Sequence, residues 1–201
     1  MTSPINKAIE KIHERLSKLS NISLAEFSIV APIVKVVELA QGDRFILPGE
    51  SSQKMAITLK GLLKTYYLLE SGKEHISHFA QEGSFVGVYT DMLKKVPSTG
   101  TIEALEPSIL LVMNYDEMLE VTKNSLAWAH LLRTVAEDRY IYRSDKDRNI
   151  NMKSAQERFE YFSETHPNLV NRIPQNQIAL YLNITPATLS RLKNSSGNYK
   201  K

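Results

Sequence analysis

The sequence predicts an α+β chain: an N-terminal antiparallel β-roll, jelly-roll-like, then a long helix and a small helical C-terminal domain. Three observations carry that prediction. Between residues 33 and 113 short β-type runs alternate with turn residues. Over about 116–143 the apolar period changes to that of a helix. From 154 onward come short helical patterns, and after Glu164 no acidic residue remains.

Each element has its own signal. Ile5, Ile9, Ile12, Leu16 and Leu19 recur at spacings of four, three, four and three, with Lys7, Lys11, Arg15 and Lys18 off that face. Glu10 and Glu14 interrupt the basic face, which favours packing on the roll over a membrane surface. The β runs are Ile33–Leu39, Arg44–Leu47, Met55–Leu59, Leu62–Leu69, His75–Phe79, Gly100–Ala104 and Ile109–Met113. Gly42, Gly49, Gly61, Gly72 and Gly83 mark turns between them, and Ser71-Gly72 reads as a tight hairpin. Many short strands at regular intervals predict an antiparallel sandwich or barrel. Trp128, Leu131, Leu132 and Val135 lie along one stripe of the long helix, able to pack on the roll or to pair with a second copy. Ser144–Lys153 is polar, of mixed charge and without apolar period, and is read as a hinge. The domains are therefore 1–143, a hinge at 144–153, and 154–201.

Composition removes several function classes. The chain has 201 residues and no cysteine, which excludes disulfides, thiolate zinc sites, Cys-ligated iron–sulfur clusters and a Cys nucleophile. It lacks an apolar run of roughly 18 residues and a secretory leader, so a cytoplasmic location is expected. No Ser–His–Asp set, carboxylate pair or phosphate-cradling glycine pattern stands out, so neither an enzyme nor a cofactor is expected. Net charge is only +3, but residues 1–150 balance to −1 and residues 151–201 to +4. A basic module on a neutral one points to a polyanionic partner.

Arg172–Lys193, RIPQNQIALYLNITPATLSRLK, shares its apolar spacing with a generic αα-hairpin, but in its basic, acid-free surroundings it points to a helix-turn-helix and to DNA as that partner. A helix-turn-helix, here 175–194, needs a small residue where its helices cross, and Ala179 supplies it. Ile178, Leu182, Ile184, Leu189 and Leu192 supply the shared core. Asn183 is a residue type that tolerates the positive φ of the turn. Thr185 caps the second helix and Pro186 begins it. On the outer face Arg191 is the base reader, with guanine O6 and N7 as its target. Gln175, Thr185 and Thr188 are assigned to phosphates, Ala187 to a thymine methyl, and apolar Pro186 to the same edge.

The order of parts resembles the Crp–Fnr superfamily of transcription regulators, over nearly the whole chain. ERFEYFSETHP and NRIPQNQIALYLNITPATLSRLK are similar to Crp-like regulators of the Bacteroidetes type. The resemblance implies a homodimer through the long helix at about 116–143, with Trp128, Leu131, Leu132 and Val135 as its seam. It implies a recognition helix, Pro186–Lys193, in the major groove of a near-palindromic site. It also implies an effector pocket in the roll, at Gly83, Phe85, Gly87, Val88, Ser98 and Thr99. The cyclic-nucleotide binders of the family carry G-x-F-x-G-E and, ten residues later, an Arg for the phosphate. Here the Glu is Val88 and the Arg is Ser98, so cyclic AMP is not expected to bind. The chain also departs from relatives with a β-hairpin wing, since only Asn194–Lys201 follow the recognition helix; Lys200 and Lys201 add phosphate attraction at most. The expected partners are double-stranded DNA, a second copy, RNA polymerase, and an effector of unknown chemistry or none; no membrane is expected.

Two rival readings remain. A cupin-like metal-dependent enzyme would need converging His ligands, but His75 and His78 are three apart on a strand and point to opposite faces; His13, His130 and His166 are scattered. The other rival is a ligand-sensing protein that keeps the fold without binding DNA.

Overall fold

A computed structural model describes residues 4–195. The chain opens with α1 (Pro4–Ser20), α2 (Leu24–Val30) and a 3-10 turn, Ala31–Ile33. Strands β1 (Lys35–Leu39), β2 (Arg44–Ile46), β3 (Lys54–Lys60), β4 (Leu63–Leu68), β5 (Glu74–Ala80) and β6 (Phe85–Val86) follow. After α3 (Tyr89–Lys94) come β7 (Thr101–Ala104) and β8 (Ser108–Asn114). The remainder is helical: α4 (Tyr115–Asn124), α5 (Leu126–Met152), α6 (Ala155–Thr165), α7 (Gln175–Leu182) and α8 (Pro186–Ser195).

The strands form two four-stranded sheets, in the orders β1-β8-β3-β6 and β2-β7-β4-β5. The pairs β1–β8, β3–β8, β3–β6, β2–β7 and β4–β7 are antiparallel. This is the jelly-roll-like arrangement that the short runs and turns predict. Alternation along β3 explains how one strand serves two cores. Ala56 faces the core between the sheets, with Phe45, Ile46, Leu63, Ile102 and Leu110. Met55, Ile57 and Leu59 face the helices, against Ile12, Leu16, Met118, Trp128 and Leu131. Each large side chain buried in this way contributes about 1.5–3 kcal/mol. At the hairpin between β4 and β5, Gly72 has φ 75° and the Leu69 N–H donates to Lys73 O at 2.9 Å.

Three expectations are corrected here. The stripe assigned to dimerisation is inside the protomer: Trp128, Leu131 and Val135 are buried in the helix-facing core, and Leu132 is half-buried against it. The Trp128 indole N–H also donates to Glu26 O at 3.0 Å. The helix expected over 116–143 is two helices with extended Ser125 between them. Finally, 144–153 is not a break, because α5 continues to Met152. Its charges pair along the helix surface, Arg143 with Asp147 at 3.0 Å and Arg148 with Asp145 at 3.4 Å. Its buried face carries Lys146 and Asn149, so the helix is real although no apolar stripe announces it.

The chain divides into two compact units, Met1–Tyr67 with His78–Asp138, and Leu68–Ser77 with Arg139–Lys201. The boundary thus falls within α5, and the second unit includes the β4–β5 hairpin. Among the described residues no helix is long and apolar enough to cross a membrane.

Candidate nucleic-acid interface

In the second unit, α7 and α8 are joined by a turn whose geometry follows from three residues. Asn183 has φ 53° and its N–H donates to Leu180 O at 3.2 Å, while the Ile184 N–H donates to Ala179 O at 3.0 Å. This pair of bonds is a Schellman closure, and Asn is among the few residues that accept its left-handed position without large strain. Thr185 then starts α8: its Oγ1 accepts the Thr188 N–H at 3.1 Å and its carbonyl accepts the Leu189 N–H at 3.0 Å. Ile178, Ala179, Leu182 and Leu189 are buried, and Ile184 and Leu192 are half-buried. Ala179 is 0% exposed. Phe159 and Phe162 of α6 complete this core.

The residues expected to meet DNA lie at the surface. Gln175 is exposed in the first turn of α7; Thr185, Pro186, Ala187 and Arg191 are exposed and Thr188 is half-buried along α8. The two threonine hydroxyls are 2.8 Å apart and bond to each other, so one hydroxyl proton of the pair is already taken. Lys200 and Lys201 lie outside the described residues.

In the first unit, the six residues of the expected effector pocket are held by the chain itself. Gly83 has φ 77°, and a Cβ there would come within 2.6 Å of the Arg15 guanidinium. Phe85 and Gly87 are half-buried, and Val88 packs with Val86 and Ile102 between the sheets. The buried Ser98 hydroxyl donates to Gly100 O at 2.9 Å. Thr99 donates twice to one oxygen, Asp91 Oδ2, through its N–H at 2.6 Å and its hydroxyl at 2.8 Å. Both Thr99 donors therefore already face a buried carboxylate. A cleft of about 280 Å³ opens nearby, lined by residues 49–53, 95–97 and Asp116, and it includes none of the six. Among the described residues no group of three or more His, Cys, Asp or Glu is placed to hold a metal ion.

Residues 36–125 match the family described as the cyclic nucleotide-binding domain. Solved structures agree with that match. FixK2 of Bradyrhizobium japonicum is 17% identical, with a TM-score of 0.73 over 82% of this chain and 85% of that one. A protein of Eubacterium rectale described as a regulator of the Crp/Fnr family is 15% identical, with a TM-score of 0.69 over 88% and 84%. The roll is thus similar to the cyclic nucleotide-binding domain family, and the chain shares its fold with these solved structures. CLP, a c-di-GMP-responsive global regulator of Xanthomonas campestris, is 11% identical, with a TM-score of 0.68 over 87% and 92%. No curated protein sequence matches.

Sequence reasoning missed several residues. Asp91 is one, since nothing in the pattern marks its partner eight residues on. Arg158 is another: it donates from Nη1 to Leu182 O at 3.2 Å and from Nε to Lys153 O at 2.9 Å, tying the end of α7 to the start of α6. A third group surrounds α7. The Tyr142 and Tyr181 hydroxyls are bonded at 2.7 Å, His166 stacks on Phe162 at 5.1 Å, and the Lys146 ammonium lies 4.2 Å from the Tyr181 ring centre. Burial pushes the Tyr181 phenol up to about 12 and raises the Tyr142 phenol well above its ordinary value. Burial also holds the His166 imidazole below its ordinary value.

Proposed function

We propose that this chain is a sequence-specific DNA-binding transcription regulator of the Crp–Fnr type, acting in the cytoplasm as a homodimer and not responding to cyclic AMP. The observation that carries the reading is the α7–α8 pair: a helix-turn-helix whose crossing residue Ala179 is buried, whose turn is closed by Asn183, and whose second helix presents Ala187 and Arg191. Such a helix fits the major groove, with Arg191 donating to guanine and the amide end of α8 near phosphate. RNA polymerase is a further proposed partner. Without the Trp128 stripe, the exposed Tyr140, Ile141 and Met152 of α5 support a second-copy face. The Asp91–Thr99 contact supports the absence of a cyclic-nucleotide response, because an incoming phosphate would meet a carboxylate in place of two free donors.

The test is selection of bound duplexes from random DNA, followed by titration of the selected site. A near-palindromic sequence should emerge, and Arg191→Ala should weaken binding to it by about 5- to 150-fold with relaxed choice at one position per half-site. Unchanged binding by that variant would refute readout through α8.

A further inference from the structure

Lys146 is 7% exposed, yet its main contacts are neutral. Its ammonium donates to Ile76 O at 2.5 Å and Ser77 O at 3.2 Å, and it faces the Tyr181 ring at 4.2 Å. It therefore touches the β4–β5 hairpin with its hydrogen bonds and α7 with its charge. Tyr142, one turn earlier on α5, holds the hydroxyl of the same Tyr181. The side chain of α7 next to Leu182 is thus gripped at both ends by one helix. We propose that Lys146 is a positioning residue for the helix-turn-helix, and that its proton holds α7 through the Tyr181 ring. This rests on the DNA-binding reading above for its consequence, though not for its geometry.

The two kinds of contact respond differently to loss of the proton. A neutral amine keeps two N–H groups for Ile76 O and Ser77 O. It no longer attracts the negative face of the ring, a cation–π contact strongest where water is excluded. Deprotonation therefore loosens α7 alone. Burial moves the Lys146 amine down to about 7; Arg143 lowers it further and Asp147 opposes that shift. The other groups facing this place are His75 on the hairpin, Tyr142 on α5, Arg158 and Tyr161 on α6, His166 after it and Tyr181 on α7. Burial, and then the charge of Lys146, lowers the His75 imidazole; burial lowers that of His166; both phenols are raised. Arginines stay charged throughout. Above pH 7 the Lys146 amine, brought down to about 7, loses its charge.

The experiment uses the full chain with 13C-labelled lysine and tyrosine. The Lys146 Cε and the Tyr181 ring resonances should shift together in one step near pH 7. Lys146→Arg and Lys146→Met should remove that step from Tyr181. On the selected DNA, affinity should fall about tenfold from pH 6 to pH 8.5 in the parent chain. It should stay flat in both variants after correction for their common background. A Tyr181 ring that fails to follow Lys146, or a DNA affinity that is equally pH-dependent in Lys146→Arg, overturns the proposal. If either variant fails to fold, the two resonances of the parent chain still decide it. If no DNA is bound at any pH while Tyr181 titrates, the DNA reading falls and the hold of Lys146 on α7 stands.

Discussion

Replacing Asp91 tests whether the effector region of the roll is closed by its own carboxylate. Asp91 is 7% exposed, and its Oδ2 accepts both Thr99 donors, at 2.6 and 2.8 Å. A hydrogen bond to a charged group contributes about 1.5–3 kcal/mol. Thr99 is exposed, so water recovers part of what Asp91→Ala removes. The expected loss is roughly 2–4 kcal/mol for the Ala variant. Asp91→Asn keeps an oxygen in place and loses only the charge, roughly 1–2 kcal/mol. The assay is urea unfolding followed by Trp128 emission; Trp128 is the one tryptophan and lies in the same core as neighbouring Met92. An Ala variant within about 0.5 kcal/mol of the parent, the scale of ordinary surface changes, refutes the closure. Equal losses for Ala and Asn would refute the part played by the shared oxygen. In calorimetry the parent chain should show no saturable binding of cyclic AMP at micromolar ligand.

The turn and the helix face give further outcomes. At φ 53°, Asn183→Gly should leave the second unit as stable or slightly more so, while Asn183→Val should destabilise it by roughly 1–2 kcal/mol in thermal unfolding. An unharmed Val variant would contradict the Schellman turn. Paired Tyr140→Glu and Ile141→Glu substitutions, at positions 76% and 55% exposed, should shift the protein toward monomer in analytical ultracentrifugation. An unchanged sedimentation coefficient would place the second-copy face elsewhere. For Lys146, the folded value near 7 lies below 10.5, so the unfolded chain binds more protons between them and stability rises with pH. Relative to Lys146→Met, unfolding free energy should climb by about 2 kcal/mol from pH 7 to pH 9; a flat difference would contradict burial of the ammonium.

What could be read from the sequence was local. Ala179, Asn183 and Thr185 lie within one short stretch, so spacing and residue type were enough to place a crossing, a turn and a cap. The strands were legible for the same reason, through alternation and punctuating glycines. Two helix starts carry Ser-x-x-Glu, at Ser23–Glu26 and Ser154–Glu157, and both form reciprocal capping boxes. The helix behind the first has only seven residues, too few for an apolar period to develop. Contacts to backbone carbonyls left no trace: Lys146 reaches Ile76 O across 70 positions and Arg158 reaches Leu182 O across 24. A carbonyl belongs to every residue, so no residue type at the far end marks it as a partner.

The error over the long helix has a deeper cause. Periodicity identifies which face of a helix is buried but not what buries it, and in the first unit that face meets the chain's own roll. Beyond Asp138 the buried face changes character, from Trp128, Leu131 and Val135 to Lys146 and Asn149. Apolar faces tolerate small slides, because dispersion contacts reform in many registers. Polar faces do not, since each displaced bond leaves a buried group unpaired at a cost of about 1–3 kcal/mol. The Lys146 ammonium makes directed contacts, two carbonyls on one side and the Tyr181 ring on the other. The second half of α5 therefore holds α7 in one orientation, and on the proposed DNA-binding reading that orientation sets how α8 meets the groove.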